Sequence, residues 1–356
     1  MPAQLKADEY TYFIGTDISK NKLDHAVYKG RTLLFHQVIK NDVAEITAFM
    51  EKVKKIRNFA MYRAVFVMEN TGFYGNHYME VLSEMKANIV VEDAGHIKNS
   101  LGLIRGKNDK IDAMRIAEFA YKCREDLRLW IPKRQIMLEL ANLATLRSRL
   151  LNVREAIAEP LKEQQQFIKS GIAGTANQLC QRSIDSIKAD IADVDKVISR
   201  LIADDKRLSR IFAQMVSVPC IGPVTAVQIL ISTNEFRDIR CPKKFACYAG
   251  IAPFEKQSGT MTSRARVSHM ANKKMKSLLH ICAVSALRVK WEIADYYIRK
   301  TKDEGKHKML VLNAVRNKLI LRVFACVIQD RFYQENFVRG GVPEFFEIPS
   351  EVIRIE

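Results

Sequence analysis

The chain lacks the cysteine pattern of a metal ribbon or a stapled secreted domain. Its seven cysteines, at 123, 180, 220, 241, 247, 282 and 326, are odd in number and scattered, with no C-x-x-C pair. That excludes a zinc knuckle or a disulfide framework and points to a reducing compartment. Acidic charge is short as well: 40 Asp and Glu face 57 Lys and Arg, a net charge of +17, so a polyanionic partner is expected. No internal repeat and no RRM or KH signature is present, which leaves no solenoid and no ready RNA-binding module. A basic-then-apolar leader is missing too, because Lys6, Asp8 and Glu9 interrupt the start; a cytoplasmic protein is expected.

What is there belongs to a folded protein. Of 356 residues 48% are hydrophobic and 27% charged, enough for two or three domains with real cores. The basic excess is concentrated: residues 236 to 340 hold 22 basic and 8 acidic side chains. Such a block attracts phosphates by counterion release, so binding should be salt-dependent. The uncharged run IFAQMVSVPCIGPVTAVQILISTN, residues 211 to 234, is long enough to mimic a membrane span. Pro219, Gly222 and Pro223 at its centre argue instead for two buried half-helices joined by a tight turn, a helix-hairpin-helix-like element. Such a turn can hold a DNA phosphate on its backbone N–H groups, and a buried turn without ligand fits the same residues.

Residues 1 to 125 alternate strand-like and helix-like segments. Tyr12 to Thr16 runs into Asp17, and Leu23 to Tyr28 and Thr32 to Ile39 flank the hairpin signal Lys29-Gly30. A helix from Asp42 to about Arg57, a strand from Ala64 to Met68 ending at Glu69, a helix from Tyr74 to Met85, a strand from Asn88 to Val91 and a helix from Asn108 to Cys123 follow. The order βββαβαβα predicts a mixed sheet with antiparallel first strands. The next segment, to 212, is helical. Ile184, Ile187, Ile191, Val194, Ile198 and Leu201 are spaced 3, 4, 3, 4, 3, with Leu208 in phase, which is a coiled-coil seam. A preceding helix, Arg134 to Lys169, carries Ile136, Leu140, Leu143, Leu150, Val153 and Ile157 on one face, with Gly171 and Gly174 expected at the turn of an antiparallel hairpin. A two-helix hairpin buries little by itself, so dimerisation through this seam is expected. Beyond it the reading is Phe236 to Gly250, a loop around Pro253, helices at Ala271 to Trp291 and Lys308 to Phe332, and an acidic tail from about 341 to 356.

Four carboxylates stand at element ends. Asp17 follows the first strand, Glu69 follows the fourth, and Asp109 and Asp112 lie three apart at a helix start, hence on one face. In the expected sheet strands one and four are neighbours, which places Asp17 beside Glu69. Grouped carboxylates repel unless neutralised; Mg²⁺ suits a few carboxylates together with substrate phosphate oxygens. Taken singly, each has a plainer account as a turn residue, a surface charge, or a cap and first-turn acid.

The runs FIGTDISKNKLDHAVY, VMENTGFYGNHYMEVL and GLIRGKNDKIDAMRIAEFA resemble, in order and spacing, the RuvC-like domain of the DEDD transposases of the Piv and bridge-RNA-guided insertion-sequence family. VSVPCIGPVTAVQIL, KKFACYAGIAPFEKQSGT and MANKKMKSLL resemble that family's carboxy-terminal transposase domain, so the resemblance spans about residues 10 to 330. It implies an α/β RNase H-like domain at 1 to 125, a coiled-coil hairpin at 126 to 212 serving oligomerisation, and a mostly α transposase domain at 213 to 340. Asp17, Glu69, Asp109 and Asp112 become a tetrad holding Mg²⁺, two ions per site with Mn²⁺ able to substitute. Ser258, in Gln257-Ser258-Gly259, becomes a nucleophile that forms a covalent phosphoserine with DNA; from composition alone it is a turn residue. Lys256, Arg264, Arg266, Lys273, Lys274 and Lys276 become candidate phosphate contacts. The implied partners are donor and target double-stranded DNA, a non-coding bridge RNA that pairs with both, and further copies of the chain, a dimer through the coiled coil and a tetramer in synapsis, with the serine and tetrad completing one site, within one protomer or between two. No membrane is involved. The implied place is the bacterial or archaeal cytoplasm, at the nucleoid.

Three departures touch local loops: Cys220 where the family often has glycine, Asn108 where threonine is common, and Glu92-Asp93 in place of an Asn-Pro type sequence. Competing readings are a Piv-like invertase without RNA guide, a Holliday-junction nuclease that uses water in place of Ser258, and a non-catalytic nucleic-acid scaffold.

Overall fold

The computed structural model describes residues 10–101, 108–167, 170–258 and 261–335, and the chain divides into two compact units, 1–132 and 133–356. Unit one is built on a five-stranded sheet. Its strands are β1 (Tyr12–Ile18), β2 (Lys22–Lys29), β3 (Thr32–Lys40), β4 (Ala64–Glu69) and β5 (Asn88–Glu92), in the order β3-β2-β1-β4-β5. β1, β2 and β3 pair antiparallel, whereas β1–β4 and β4–β5 are parallel, so the expected adjacency of strands one and four holds. Its helices are α1 (Val43–Lys54), α2 (Asn76–Glu84), α3 (Ala94–Ser100) and α4 (Asp109–Lys122). Asp42 caps α1 and Asn108 caps α4 with their side-chain oxygens.

Alternation along the central strands sorts the two faces. Tyr12, Ile14, Phe66 and Met68 pack with Ile46 and Phe49 of α1 and Tyr78 and Leu82 of α2. Phe13, Val65 and Val67 pack with Ile97 of α3 and Ile116 and Phe119 of α4 on the other face. Helix α3 is an addition to the expected elements: Asp93 caps it, accepting from Gly95 N at 2.8 Å and His96 N at 3.2 Å, and Glu92 lies 3.2 Å from the His96 ring.

Gly15 sets the distance between α4 and the sheet. A Cβ there would lie 2.3 Å from Ala113 O and from Ala117 N, so the helix backbone rests directly on the strand. On the opposite face Thr16 Oγ1 lies 2.9 Å from His25 Nδ1 and donates to Tyr78 Oη at 3.0 Å, while the His25 ring stacks on Phe49. His25 is fully buried, its Nε2 has no partner, and burial with the nearby His36 pushes its pKa down to about 3.

Unit two is helical apart from one hairpin. Helices α5 (Gln135–Phe167) and α6 (Ser170–Asp204) lie antiparallel, tied by Arg147 Nε to Asp195 Oδ1 at 2.6 Å. Ile184, Ile191, Val194 and Ile198 are buried, and Ile187 and Leu201 half-buried, along the expected stripe of α6. On α5 Leu140 is buried and Leu143 and Leu150 half-buried, but Val153 is 49% exposed. The outcome differs from expectation: Gly171 and Gly174 are inside the first turns of α6, which starts at Ser170.

Helices α7 (Lys206–Val216) and α8 (Pro223–Thr233) split the uncharged run as anticipated, with Gly222 as N-cap and Pro223 in the first turn of α8. Among the described residues no helix is long and apolar enough to cross a membrane. The turn's left-handed residue is Cys220, at φ +68°, which explains why glycine is favoured at that place. Helix α9 (Pro242–Tyr248), strands β6 (Pro253–Ser258) and β7 (Met261–Val267), and helices α10 (Lys273–Ala286), α11 (Glu292–Ile298) and α12 (Lys308–Ile328) complete the unit. Where a loop around Pro253 was expected there is an antiparallel hairpin, with Ser258 opposite Met261. The local signal for it is the Gly-Thr pair at 259–260 between two short stretches. Met137, Leu140, Val194 and Ile198 of the long helices share one core with Leu230, Phe245, Leu279 and Phe324, so the base of the helical hairpin is part of the carboxy-terminal body.

Three measurements test these assignments. Cys220→Gly should raise stability by about 1 kcal/mol by relieving a left-handed non-glycine residue; an unchanged or lower urea midpoint would count against the turn geometry. Gly15→Ala should cost about 1–3 kcal/mol by overpacking against backbone that cannot yield, read as faster amide exchange in β1 and α4. Because unfolded His25 takes up a proton near pH 6.5 and the folded ring stays neutral until about pH 3, its contribution is complete above pH 6.5. It is lost as pH falls, at up to about 1.4 kcal/mol per pH unit. Exchange in β1 and β2 at pH 7.5 and 5.0 should show a shallower fall for His25→Leu than for wild type; equal slopes would refute the assignment.

Candidate functional site

Asp17 lies two residues after Gly15, so its side chain leaves β1 on the face that α4 covers. Thr16 and Met68 form the last register pair between β1 and β4, which sets Asp17 and Glu69 side by side one residue further along the parallel strands. The close seat of α4 over Gly15 brings the start of that helix, with Asp109 and Asp112 in its first turn, to the same strand ends. The pKa of Asp17 is raised, first by burial and then by the charges of Asp109, Asp112 and Asp24. Three of the four expected carboxylates therefore feel one another, and the fourth adjoins by register.

Asp24 is an addition that sequence reasoning missed. It is 4% exposed, sits opposite Asp17 in the β1–β2 register, and lies 3.2 Å from His36 Nε2. A usable signal existed, since a hairpin that turns over Ser19 to Lys22 must set positions 17 and 24 opposite each other.

Two cations neutralise this crowd. Lys22 Nζ stands 3.1 Å from Asp24 Oδ2 and 2.6 Å from Asp109 Oδ2, and Arg115 Nη1 stands 2.9 Å from Asp112 Oδ1. Among the described residues no three acid, histidine or cysteine side chains form a ready cation cage. The donor set nonetheless fits a hard divalent cation: every candidate ligand is a carboxylate, the carboxylates crowd one another, and an ammonium already stands between two of them. Just past Glu69, Phe73 is 66% and Tyr74 36% exposed, their rings 4.4 Å apart, while Asn41 Nδ2 donates to Tyr74 O and Ser19 O and so pins the loops after β4 and β1 together. These exposed aromatics at the site's rim were not singled out from sequence.

In unit two, Ser258 is the last residue of β6, with Lys256 two residues earlier on that strand and Arg264 and Arg266 on β7. Arg266 is exposed and its backbone pairs with Phe254. Lys273, Lys274 and Lys276 lie in the first turn of α10, the first two exposed and Lys276 half-buried. Lys274 Nζ donates to Ser148 Oγ of α5 at 3.0 Å, and its pKa is lowered by burial and by Arg147. It is therefore more tightly held than its neighbours. No histidine or carboxylate adjoins Ser258 in sequence to act as its base, so the strand pair by itself supplies position but no activation.

Two family models match the chain: one described as a transposase, of the DEDD IS110 type, over residues 14–166, and one described as the transposase IS116/IS110/IS902 family over residues 213–298. The first takes in Asp17, Glu69, Asp109 and Asp112; the second takes in Ser258 and the basic residues around it. The pilin gene-inverting protein of Moraxella bovis is 25% identical over 328 residues, covering 90% of this chain and 96% of that protein. Its counterpart from Moraxella lacunata matches to the same extent, and an uncharacterized 43.6 kDa protein of insertion element IS110 from Streptomyces coelicolor is 24% identical over 126 residues, 35% of this chain and 31% of its own. Matched in both halves, in order, and along nearly the whole length of two relatives, the chain belongs to the IS116/IS110/IS902 family of transposases.

Proposed function

We propose that the protein is the transposase of an insertion sequence, a site-specific recombinase that cuts and rejoins DNA strands through Ser258 and the carboxylates Asp17, Glu69, Asp109 and Asp112. The observation that carries this reading is the gathering of acids at the ends of β1 and β4 under α4, in a chain whose two halves match transposase models. Unit one reads as a RuvC-like catalytic domain over 1–125. Residues 126–212 read as a coiled-coil arm for oligomerisation, 213–340 as the serine-bearing domain and 341–356 as an acidic tail.

In this mechanism the Ser258 hydroxyl loses its proton as Oγ attacks a backbone phosphorus; the Oγ–P bond forms, one P–O bond of the DNA breaks, and the leaving oxygen departs as a hydroxyl. Attack by the hydroxyl of the exchanged strand reverses those steps and frees the serine. Two Mg²⁺ ions held by the tetrad would supply the charge that favours serine ionisation and stabilises the leaving oxygen. Lys22 and Arg115 keep Asp109 and Asp112 oriented and partly neutralised. Asp24 orients Lys22. Lys256, Arg264, Arg266, Lys273, Lys274 and Lys276 hold DNA phosphates.

The partners in this reading are donor and target duplexes and a bridge RNA whose base pairing selects them; the basic carboxy-terminal segment suits both polymers. Dimerisation through the long hairpin is supported by Leu138, Leu146 and Val153 on α5 and Leu179 and Val197 on α6, which are between 39% and 74% exposed. Pairs of dimers form the synaptic tetramer, at the nucleoid. A second reading, a DNA invertase without guide, is favoured by the likeness to the pilin gene-inverting proteins along 96% of their length.

The test uses purified full-length protein and labelled duplexes from the DNA flanking its gene. Wild type should form a Mg²⁺-dependent covalent protein–DNA adduct. Ser258→Ala should abolish the adduct, and Asp17→Asn should slow its formation by at least about 10²-fold. Strand cleavage that persists in Ser258→Ala would instead show a water-using nuclease, and indifference to both Mg²⁺ and Asp17→Asn would show a scaffold. A single discrete RNA retained through a high-salt wash supports guidance, whereas heterogeneous nucleic acid supports the invertase.

A further inference from the structure

Most half-buried arginines of unit two meet a carboxylate. Arg134 meets Glu235 and Asp205, Arg147 meets Asp195, Arg322 meets Glu292, and Arg237 meets Glu235. Arg316, on α12, is buried more deeply than any of these, at 6% exposure, and its contacts differ in kind. Its Nη2 lies 2.6 Å from His280 Nδ1 of α10, its Nη1 reaches Asn313 Oδ1 at 3.4 Å, and its Nε has no partner. Among the described residues no carboxylate forms an ion pair with it. Both contacts are neutral acceptors, since burial and the Arg316 charge together lower the His280 pKa. A guanidinium buried without an anion is costly unless one arrives from outside.

Its position indicates where that anion comes from. Asn313 Nδ2 donates to Ile251 O at 2.7 Å, which fixes this group under the base of the β6–β7 hairpin, two residues before Pro253 opens β6. At Gly250, in the left-handed region at φ +63°, a Cβ would lie 2.5 Å from Ala271 Cβ and 3.7 Å from Lys276 Cδ, so Lys276 reaches the same hairpin base. Arg266 is on β7 one residue before Val267, which pairs with Pro253. Lys276 thus reaches the foot of the strand pair that ends in Ser258, Arg266 stands on its second strand, and Arg316 is tied to it through Asn313.

We propose that Arg316, with His280 and Asn313 as its positioning partners and Lys276 and Arg266 beside it, forms an anion site for one backbone phosphate of duplex DNA at the foot of the serine hairpin. The proposal rests on the recombinase reading for the identity of the polymer, but not on any chemical step. The planar fork of a guanidinium suits two phosphate oxygens at once, which a lysine does not reproduce.

The experiment measures equilibrium binding of a duplex of about 30 base pairs, without Mg²⁺ and in a Ser258→Ala background, so that no chemistry intervenes. Arg316→Met should weaken binding about tenfold and lower the slope of log affinity against log salt by about one, while leaving the unfolding midpoint of the free protein equal or higher. Arg316→Lys keeps the charge and should keep the slope while losing part of the affinity. A lowered midpoint with unchanged affinity and slope would show a purely structural arginine and overturn the proposal. So would weakening confined to a single-stranded RNA of matched length. If Arg316→Met does not fold, Arg316→Lys decides: unchanged duplex affinity overturns the site. A failure of the recombinase reading appears separately, as the absence of an adduct with wild-type serine.

Discussion

The bare contact between the α4 backbone and β1 at Gly15 is the constraint on which the carboxylate cluster of the first unit depends. Any side chain at that position would hold the helix off the sheet, and the first turn of α4 would carry Asp109 and Asp112 away from Asp17. The contact thus converts a packing detail into an electrostatic one. Burial and three neighbouring carboxylates raise the pKa of Asp17, and the structure tolerates that because Lys22 and Arg115 stand among the acids. Apolar side chains on both sides of the sheet, from Tyr12 and Phe66 to Phe13 and Phe119, hold this unfavourable group together. Strand ends that gather like charge are poor for stability and suited to binding cations, a common trade at active sites.

Legibility followed periodicity. The strand order, the α4 cap at Asn108 and the split of the uncharged run were readable because alternation, capping residues and clustered proline and glycine are local signals. The acids at 17, 69, 109 and 112 were readable as a group only because strand order made 17 and 69 neighbours. Gly15 and Asp24 were not singled out, since their roles arise between elements: one from a helix a hundred residues away, the other from hairpin register. The β6–β7 hairpin is expected as a loop because both of its stretches carry polar residues on both faces, which erases the alternation that marks a half-buried strand. Gly171 and Gly174 were given too much weight, since glycine permits a turn without imposing one.

Cys220 shows why a departure from a family habit need not disturb a fold. Its backbone adopts the left-handed conformation that glycine adopts freely, and the surrounding helices α7 and α8, with Leu208, Met215, Ile229 and Leu230 in the core, hold the turn regardless. The cost is local, of order 1 kcal/mol.

A larger expense of the same kind sits at residues 234 to 236, where Asn234, Glu235 and Phe236 have φ of +48°, +56° and +62° in succession and none is glycine. Three left-handed residues in a row persist only where the surroundings over-determine them. Here Phe236 N donates to Thr233 Oγ1 at 3.1 Å, and the Phe236 ring meets Phe324 edge-on. The bend drives the Glu235 carboxylate into the interior, where Arg134 Nε donates to it at 3.0 Å while Arg134 Nη1 holds Asp205 at 2.6 Å. Arg134 immediately precedes α5 and Asp205 caps α7, so one buried carboxylate fastens the root of the long hairpin to the helices after it. With the shared hydrophobic core, this makes the root of the arm and the helices that carry the serine hairpin a single body. The strain at 234–236 is retained because relaxing it would leave Arg134 without its innermost partner.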